Sequence, residues 1–573
     1  MHGTNDMNDN TSILKNSIFT TVNPDDRRNI SILVALTVFS LILFVNKAVH
    51  IDDTLFIRAA QQIQSHPLDP YNFTVNWFGT DRPMYAVTKN PPLASYYLAC
   101  IGSIAGWSEP VLHCAMMIPA IVCIAGIYLL ARHFCSKPFE AALISLFSPA
   151  FLLSSTALMC DVMMLCLWIW SIIFWMNGIR SRSRSQLVIA SFLIALSALT
   201  KYFGAALIPL LTVWTIAERK RIDSSLIAMI IPVLILAGYQ WLTMKYYGHG
   251  LLFDAASYAA DNEVRGFTAY VSKSFVGLAF TGGCFIAPLF FFHTLWDRKF
   301  LVRAGIISGM ILLSVVLFQS ISGSIHLNEK NVPWTFVFQF SLLVLVGMIV
   351  ISLAIADFRK HRDASSLMIV CWIVGTFLFT IFINWTVNGR SILPLVPAAA
   401  ILLMRRYGDR WNNSEPNGTP NVIIPIIICA VITLTVTYSD FSLANAIRDD
   451  VTAIWSHPRT PNSKIWFEGH WGFQYYMETS GGKAFDVERS KLDRGDIVIV
   501  PLNNTSLYHL PERYFVLSDS LQGSGGISLL ATMNNTAGAG FYSDFWGPMP
   551  FVFGEIPPEK YYVYIVKEGI AIH

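Results

Sequence analysis

Residues 51–93, IDDTLFIRAAQQIQSHPLDPYNFTVNWFGTDRPMYAVTKNPPL, follow the first long apolar run and open on two adjacent carboxylates, Asp52 and Asp53. A carboxylate at mid-membrane costs about 2.5–3.5 kcal/mol, and less at the interface, so it persists mainly where it has a partner or a task. Residue type alone leaves two readings open. The pair caps the helix that follows, as Asp commonly does at an N-terminus, or it stands at the mouth of an active site.

The surrounding composition bears on that choice. The chain has 573 residues, 54% of them hydrophobic and only 13% charged, which is the balance of a membrane protein. A net charge of +3 gives no electrostatic footprint for nucleic acid. The nine cysteines all lie in or beside apolar segments, so neither a disulfide framework nor a zinc motif is supported. No Walker sequence or GxGxxG fingerprint is present, which argues against an ATP-driven pump.

A spanning helix needs about 20 apolar residues, and basic connectors face the cytoplasm. Basic clusters occur at 132–137, 180–184, 219–221, 298–303, 359–362 and 405–410, after every second apolar run. Taking them as cytoplasmic gives spans at about 29–49, 110–131, 138–158, 162–179, 187–200, 203–217, 224–245, 275–295, 304–321, 334–356, 366–385, 391–404 and 421–439. The expected fold is therefore a polytopic α-helical membrane protein of about thirteen helices with a small C-terminal α/β soluble domain. Residues 1–28 form a cytoplasmic tail, 29–440 the membrane domain with an outer-face loop at 50–109, and 441–573 an outer-face domain. The apolar piece at 93–107 lies on the outer face, because counting it as a span would invert every later loop. Such a chain belongs in an inner or plasma membrane, with its N-terminus inside and the C-terminal domain periplasmic or extracellular.

On this topology the outer loops collect Asp52, Asp53, the Lys89-Asn90-Pro91-Pro92 turn, Asp161, Lys201, the loop 246–274, His326 to Lys330, and Asn388 to Arg390. Lys201 and Arg390 stand where positive charge is not expected. Each alone could be a snorkelling side chain at a helix end. Acids and cations meeting on one face is a different pattern. In the last third, β-rich runs at 465–467, 497–500, 514–517 and 561–566 alternate with a helix-compatible piece at 472–479. The aromatic stretch EGHWGFQYYMETSGG, starting at Glu468, reads first as core packing with a turn and second as a stacking surface for a sugar or acceptor.

An outward-facing site with acids, cations and no nucleotide motif suits transfer from a lipid-phosphate donor, with a carboxylate taking the proton of the attacking hydroxyl and cations holding the departing phosphate. The order of motifs strengthens this: Asp-Asp after the first span, Pro-Pro-Leu before the outer-face helix, ALMCD at 157–161, ALTKYFG at 198–204, and NGRSILPLVPAAA at 388–400. In that order and sidedness the chain resembles the glycosyltransferase C superfamily, most closely family 39 with the aminoarabinose transferase-like and protein O-mannosyltransferase-like membrane proteins. The resemblance implies an integral glycosyltransferase that moves a sugar from a polyprenyl phosphate to a lipid, glycan or protein acceptor, with inversion. By position it implies Asp52 as general base, Asp53 and Asp161 as orienting acids, and Lys201 and Arg390 as phosphate clamps, with Lys89 and Asn90 at the donor turn. Asp53 departs from the family's Asp-Glu pair by one methylene. Asn90-Pro91-Pro92 replaces the Glu-Lys-Pro turn of the aminoarabinose enzymes, so that substrate is not transferred. A divalent metal is left open, with Asp53 and Asp161 as its candidate ligands, because no strong ligand spacing is present. The rival reading is a polytopic transporter or lipid-linked sugar flippase, against which stands the lack of an inverted repeat.

Overall fold

The structure is a computed structural model that describes residues 23–263, 266–295, 334–411, 421–456 and 463–571. It is mostly helical. Among the described residues six helices are long and apolar enough to cross a membrane, or seven if one bent pair is counted as a span. These are Glu109–Ala131, Asp161–Ser181, Ser224–Tyr247, Trp334–His361, Ala364–Phe382 and Ile423–Ser456, with the pair Pro138–Leu146 and Pro149–Ser155. The expected span at 304–321, the basic residues Arg298, Lys299 and Arg303, and the polar stretch His326 to Lys330 lie outside the described residues.

Several expected spans differ in ways that proline and capping explain. The run at 138–158 is two helices bent by 60°. Pro149 cannot continue a helix from its N-terminal side, and the Ser148 side chain caps the new helix by accepting from the Phe151 N–H. The run at 275–295 ends at Cys284 and restarts at Pro288. The run at 391–404 begins as the short turn Gly389–Ile392 and resumes as Leu395–Trp411. That first turn carries Arg390, with the Asn388 side chain as its cap. The piece at 93–107, expected on the outer face, is the helix Leu93–Ala105.

The last apolar run is longer than the expected 421–439, extending as one helix over Ile423–Ser456. Its second half has no Pro or Gly, and Leu443, Ile447, Val451 and Ile454 keep an apolar stripe at helical spacing while Arg448 and Asp449 take other faces. Val451 and Ile454 then pack with Ile465, Phe467, Phe473, Met477 and Ile499. The composition change at 441 thus falls inside a continuous helix, whose far end is built into the next unit's core.

That unit is a five-stranded mixed sheet in the order Lys483–Ala484, Ile465–Phe467, Ile497–Pro501, Lys560–Val566, Phe515–Gln522. The first three strands are parallel, and the helix Trp471–Thr479 makes the crossover between two of them. The last two pairings are antiparallel, with a register shift between Val563 and Tyr564. All four expected strands and the expected helix are present. The unit is seated on the loop after the first helix. The Val49 N–H donates to the Tyr476 hydroxyl at 2.7 Å, the Thr54 hydroxyl to the Trp471 carbonyl at 3.0 Å, and the Tyr508 hydroxyl to the Phe78 carbonyl at 2.7 Å.

Candidate active site

One cavity of about 580 Å³ lies where the membrane helices meet this α/β unit, and Asp52, Lys89, Asn90, Asp161, Lys201 and Arg390 all line it. Their charges are paired. Both terminal nitrogens of Arg390 reach one Asp52 oxygen at 3.2 Å, across 338 residues of sequence. Lys201 Nζ donates to Asp161 at 2.5 Å, and Lys89 Nζ to Asp254 at 2.6 Å while lying 4.9 Å from the Tyr258 ring centre. A half-buried charge in such a place costs desolvation that a partner offsets, and removing one member leaves the other uncompensated. The Arg390 Nε is buried without a hydrogen-bond partner, a spare donor on that guanidinium.

Local structure fixes these side chains. Asp161 is the first residue of its helix, where a carboxylate is favoured by the helix dipole. Lys201 follows the helix Arg184–Thr200 in an extended conformation, turned back toward Asp161. The loop carrying Arg390 is tied down by the C-terminal unit: the Gly389 N–H donates to the Phe541 carbonyl at 2.7 Å, and the Asp544 N–H to the Val387 carbonyl at 2.9 Å. A Cβ at Gly389 would lie 2.3 Å from the Phe541 ring, so only glycine permits this approach.

Asp53 is placed differently from its neighbour. It is fully buried and absent from the cavity lining. Its oxygens accept from the Leu158 N–H at 2.9 Å and the His50 N–H at 3.2 Å. Burial pushes its carboxyl up to about 7, against the opposing pull of Lys47 and those two N–H groups. Asp53 therefore ties the start of helix Asp53–Ser65 to the turn before Asp161. Of the two candidate metal ligands, Asp53 accepts from backbone donors and Asp161 from Lys201. Among the described residues the one acid-histidine group compact enough for an ion is Asp357, His361 and Asp409, far along the chain from these, and Lys360 and Arg405 already pair with it.

Sequence reasoning missed a second charged set. Lys47 and Asp440 are both fully buried and paired at 2.6 Å. Asp440 also accepts from the Thr532 hydroxyl at 2.7 Å and the Tyr542 hydroxyl at 2.8 Å, and the Tyr542 ring lies 5.6 Å from the Arg390 guanidinium. The signal was available: each is an isolated ionisable residue in or beside a long apolar run, which marks an intramembrane partner by default. Asp254 falls in the stretch expected as the loop 246–274, which instead carries the helix Leu251–Asp261. Of the aromatic stretch at 468–482, Phe473 and Met477 pack in the sheet's core, while His470 and Trp471 line the cavity.

Comparison with known proteins adds the following. Residues 89–241 match the family model of dolichyl-phosphate-mannose-protein mannosyltransferase, a stretch that contains Lys89, Asn90, Asp161 and Lys201. No curated protein matches the sequence. Among solved structures, the oligosaccharyltransferase of Archaeoglobus fulgidus with a tethered acceptor peptide is 16% identical with a TM-score of 0.45, covering 80% of this chain; the chain spans 63% of that protein's length. The same organism's oligosaccharyltransferase AglB, in complex with an inhibitory peptide and a dolichol-phosphate, is 14% identical with a TM-score of 0.48, covering 82% of this chain and 69% of its own. ArnT from Cupriavidus metallidurans, bound to undecaprenyl phosphate, is 13% identical with a TM-score of 0.40, covering 82% of this chain and 93% of its own. The similarity to the dolichyl-phosphate-mannose-protein mannosyltransferase family model is thus one of residues 89–241.

Proposed function

We propose that this chain is an integral membrane glycosyltransferase that moves a sugar from a polyprenyl-phosphate donor to an acceptor at the outer face of the membrane. The observation that carries the reading is the Asp52 and Arg390 pair, held beside Lys201 and Asp161 in one cavity at the junction of the helices and the α/β unit. The matched family takes its name from a donor of this class, dolichyl-phosphate mannose.

The resting pairs suggest how donor and chemistry are coupled. A sugar phosphate entering the cavity competes with Asp52 for Arg390 and with Asp161 for Lys201, and a phosphate suits the planar, multidentate guanidinium. Release of Asp52 then leaves a carboxylate free to take the acceptor hydroxyl's proton. The acceptor oxygen attacks the anomeric carbon, the bond from that carbon to the phosphate oxygen breaks, and its electron pair leaves with the polyprenyl phosphate. Arg390 and Lys201 stabilise the charge that develops there. A single displacement inverts the anomeric carbon. Asp53 acts through the backbone it holds, and no step needs a metal.

In this reading the bundle has about thirteen spans, with a cytoplasmic N-terminus and the α/β unit of residues 463–571 outside. A panel of labelled polyprenyl-phosphate sugars, given to the purified chain in nanodiscs with a membrane extract as acceptor source, tests it. Release of polyprenyl phosphate with a covalent sugar product is expected. Transport of label with no covalent product would replace this reading with the flippase.

A further inference from the structure

The cavity has two unlike walls. The helix side carries the charges, whereas among the described residues those contributed by the C-terminal unit include His470, Trp471, Tyr542, Phe545 and Trp546 and no Lys, Arg, Asp or Glu. Trp77 and Phe78, from the hairpin Thr74–Pro83, continue that wall. The rings are arrayed: Trp77 stacks on His470 at 4.8 Å and 23°, and Trp471 meets Trp546 at 5.2 Å and 60°. Thr505, Ser506 and Ser543 belong to the same lining.

Backbone strain is concentrated on this cavity. Among the described residues seven non-glycine residues have positive φ, and four of them, Ile51, Phe78, Trp471 and Ser506, line it. Arg182 and Lys220 are ordinary helix C-caps, and Arg362 directly follows the helix ending at His361. Phe78 has φ +63 and Gly79 φ +71 at the centre of the two-residue hairpin turn, a position that favours Asn over a bulky ring. Trp471 has φ +65 at the start of its helix, where Gly472 is pressed so closely on the Val49 carbonyl that a Cβ would lie 2.1 Å away. Such strain persists where surrounding structure over-determines it, and it clusters at ligand clamps.

We propose that this wall is an acceptor subsite for an uncharged carbohydrate, the non-reducing end of a glycan. Sugar C–H faces stack on aromatic rings, whose faces carry partial negative charge. Hydroxyl side chains exchange hydrogen bonds with sugar hydroxyls in the same plane. Among the described residues no strand of the five-stranded sheet reaches the lining, so that sheet offers an extended peptide no edge here. Nor is it a lipid-facing aromatic belt, because Trp77 and Trp546 are buried and face inward to the cavity. The assignment as acceptor site rests on the transferase reading; the binding of sugar does not.

The test is a titration of the full chain in nanodiscs, read by tryptophan fluorescence. The probes are neutral tetrasaccharides of mannose, glucose and galactose, a galacturonate tetramer, and a neutral Ser/Thr peptide. At least one neutral tetrasaccharide should bind saturably and more tightly than the galacturonate and the peptide. Trp471→Ala should weaken it roughly 3- to 10-fold, and Trp471→Phe should recover most of the loss. Should Trp471→Ala fail to fold, Phe545→Ala, at a residue 55% exposed, reads the same wall. Preference for the peptide, affinity unchanged in both aromatic variants, or no saturable binding up to about 20 mM would overturn the proposal. Donor turnover measured on the same samples separates the two claims. Sugar binding without turnover would defeat the transferase reading and keep the subsite, while turnover without sugar binding would do the reverse.

Discussion

Removing the charge of Asp440 should destabilise the protein far more than an average substitution. Its carboxylate is fully buried and receives Lys47 Nζ at 2.6 Å, the Thr532 hydroxyl at 2.7 Å and the Tyr542 hydroxyl at 2.8 Å. Asp440→Asn keeps an acceptor for the hydroxyls but leaves the Lys47 ammonium with Thr156 Oγ1 as its remaining side-chain partner. Breaking a buried pair on one side costs about 3–5 kcal/mol, most of it the uncompensated charge. Lys47→Met should cost a similar amount by stranding Asp440. The double variant Lys47→Met, Asp440→Asn removes both charges, so its loss should fall short of the summed single losses by about 2 kcal/mol or more. The assay is the temperature at which the monodisperse peak is lost in detergent, with the fraction folded at fixed temperature giving relative free energies. Single variants within about 0.5 kcal/mol of wild type, or a strictly additive double, would refute the reasoning.

Other consequences are smaller in scope. Glu559 is buried, and burial pushes its carboxyl from 4.5 up to about 7. The folded state therefore keeps a proton that the unfolded state gives up across that window. Stability should fall as pH rises from about 4.5 to 7 and then level, by at most about 3 kcal/mol for this group; Glu559→Gln should flatten the slope in thermal melts. Gly472→Ala should loosen the seating of the C-terminal unit, because its Cβ meets the Val49 carbonyl at 2.1 Å, with a loss of about 1–3 kcal/mol in the same detergent assay. Arg390→Lys keeps the charge but not the fork, so kcat/KM for the donor should drop about 10- to 100-fold with the fold intact.

How much of this was legible in the sequence depends on what each residue had to betray. Asp52, Asp161, Lys201 and Arg390 stood at ends of apolar runs where packing does not explain charge, and they converge in one cavity. Asp53 looks identical to Asp52 by type, but the two point different ways because successive residues at a helix start face different directions; sequence spacing does not say which one reaches the cavity. Which cation pairs with which acid is set by contacts between residues as much as 393 positions apart, beyond any local pattern. The helix breaks at Pro149 and Pro288 were readable from proline, whereas a count based on 20-residue windows passes over them. The strands of the last unit were readable because short runs of β-branched and aromatic residues between turn residues have few other uses. The continuation of the Ile423–Ser456 helix into that unit was obscured by the charged residues Arg448, Asp449 and Asp450 in its second half.

The most direct test of the central claim is release of polyprenyl phosphate by the wild type and Asp52→Asn, measured side by side in nanodiscs against a panel of polyprenyl-phosphate sugars. The account predicts turnover by the wild type and a loss of about 10²- to 10⁴-fold in the variant, with expression and elution profile unchanged. Equal turnover by both would remove Asp52 from the chemistry, and a well-folded wild type that releases no phosphate from any donor would contradict the transferase itself.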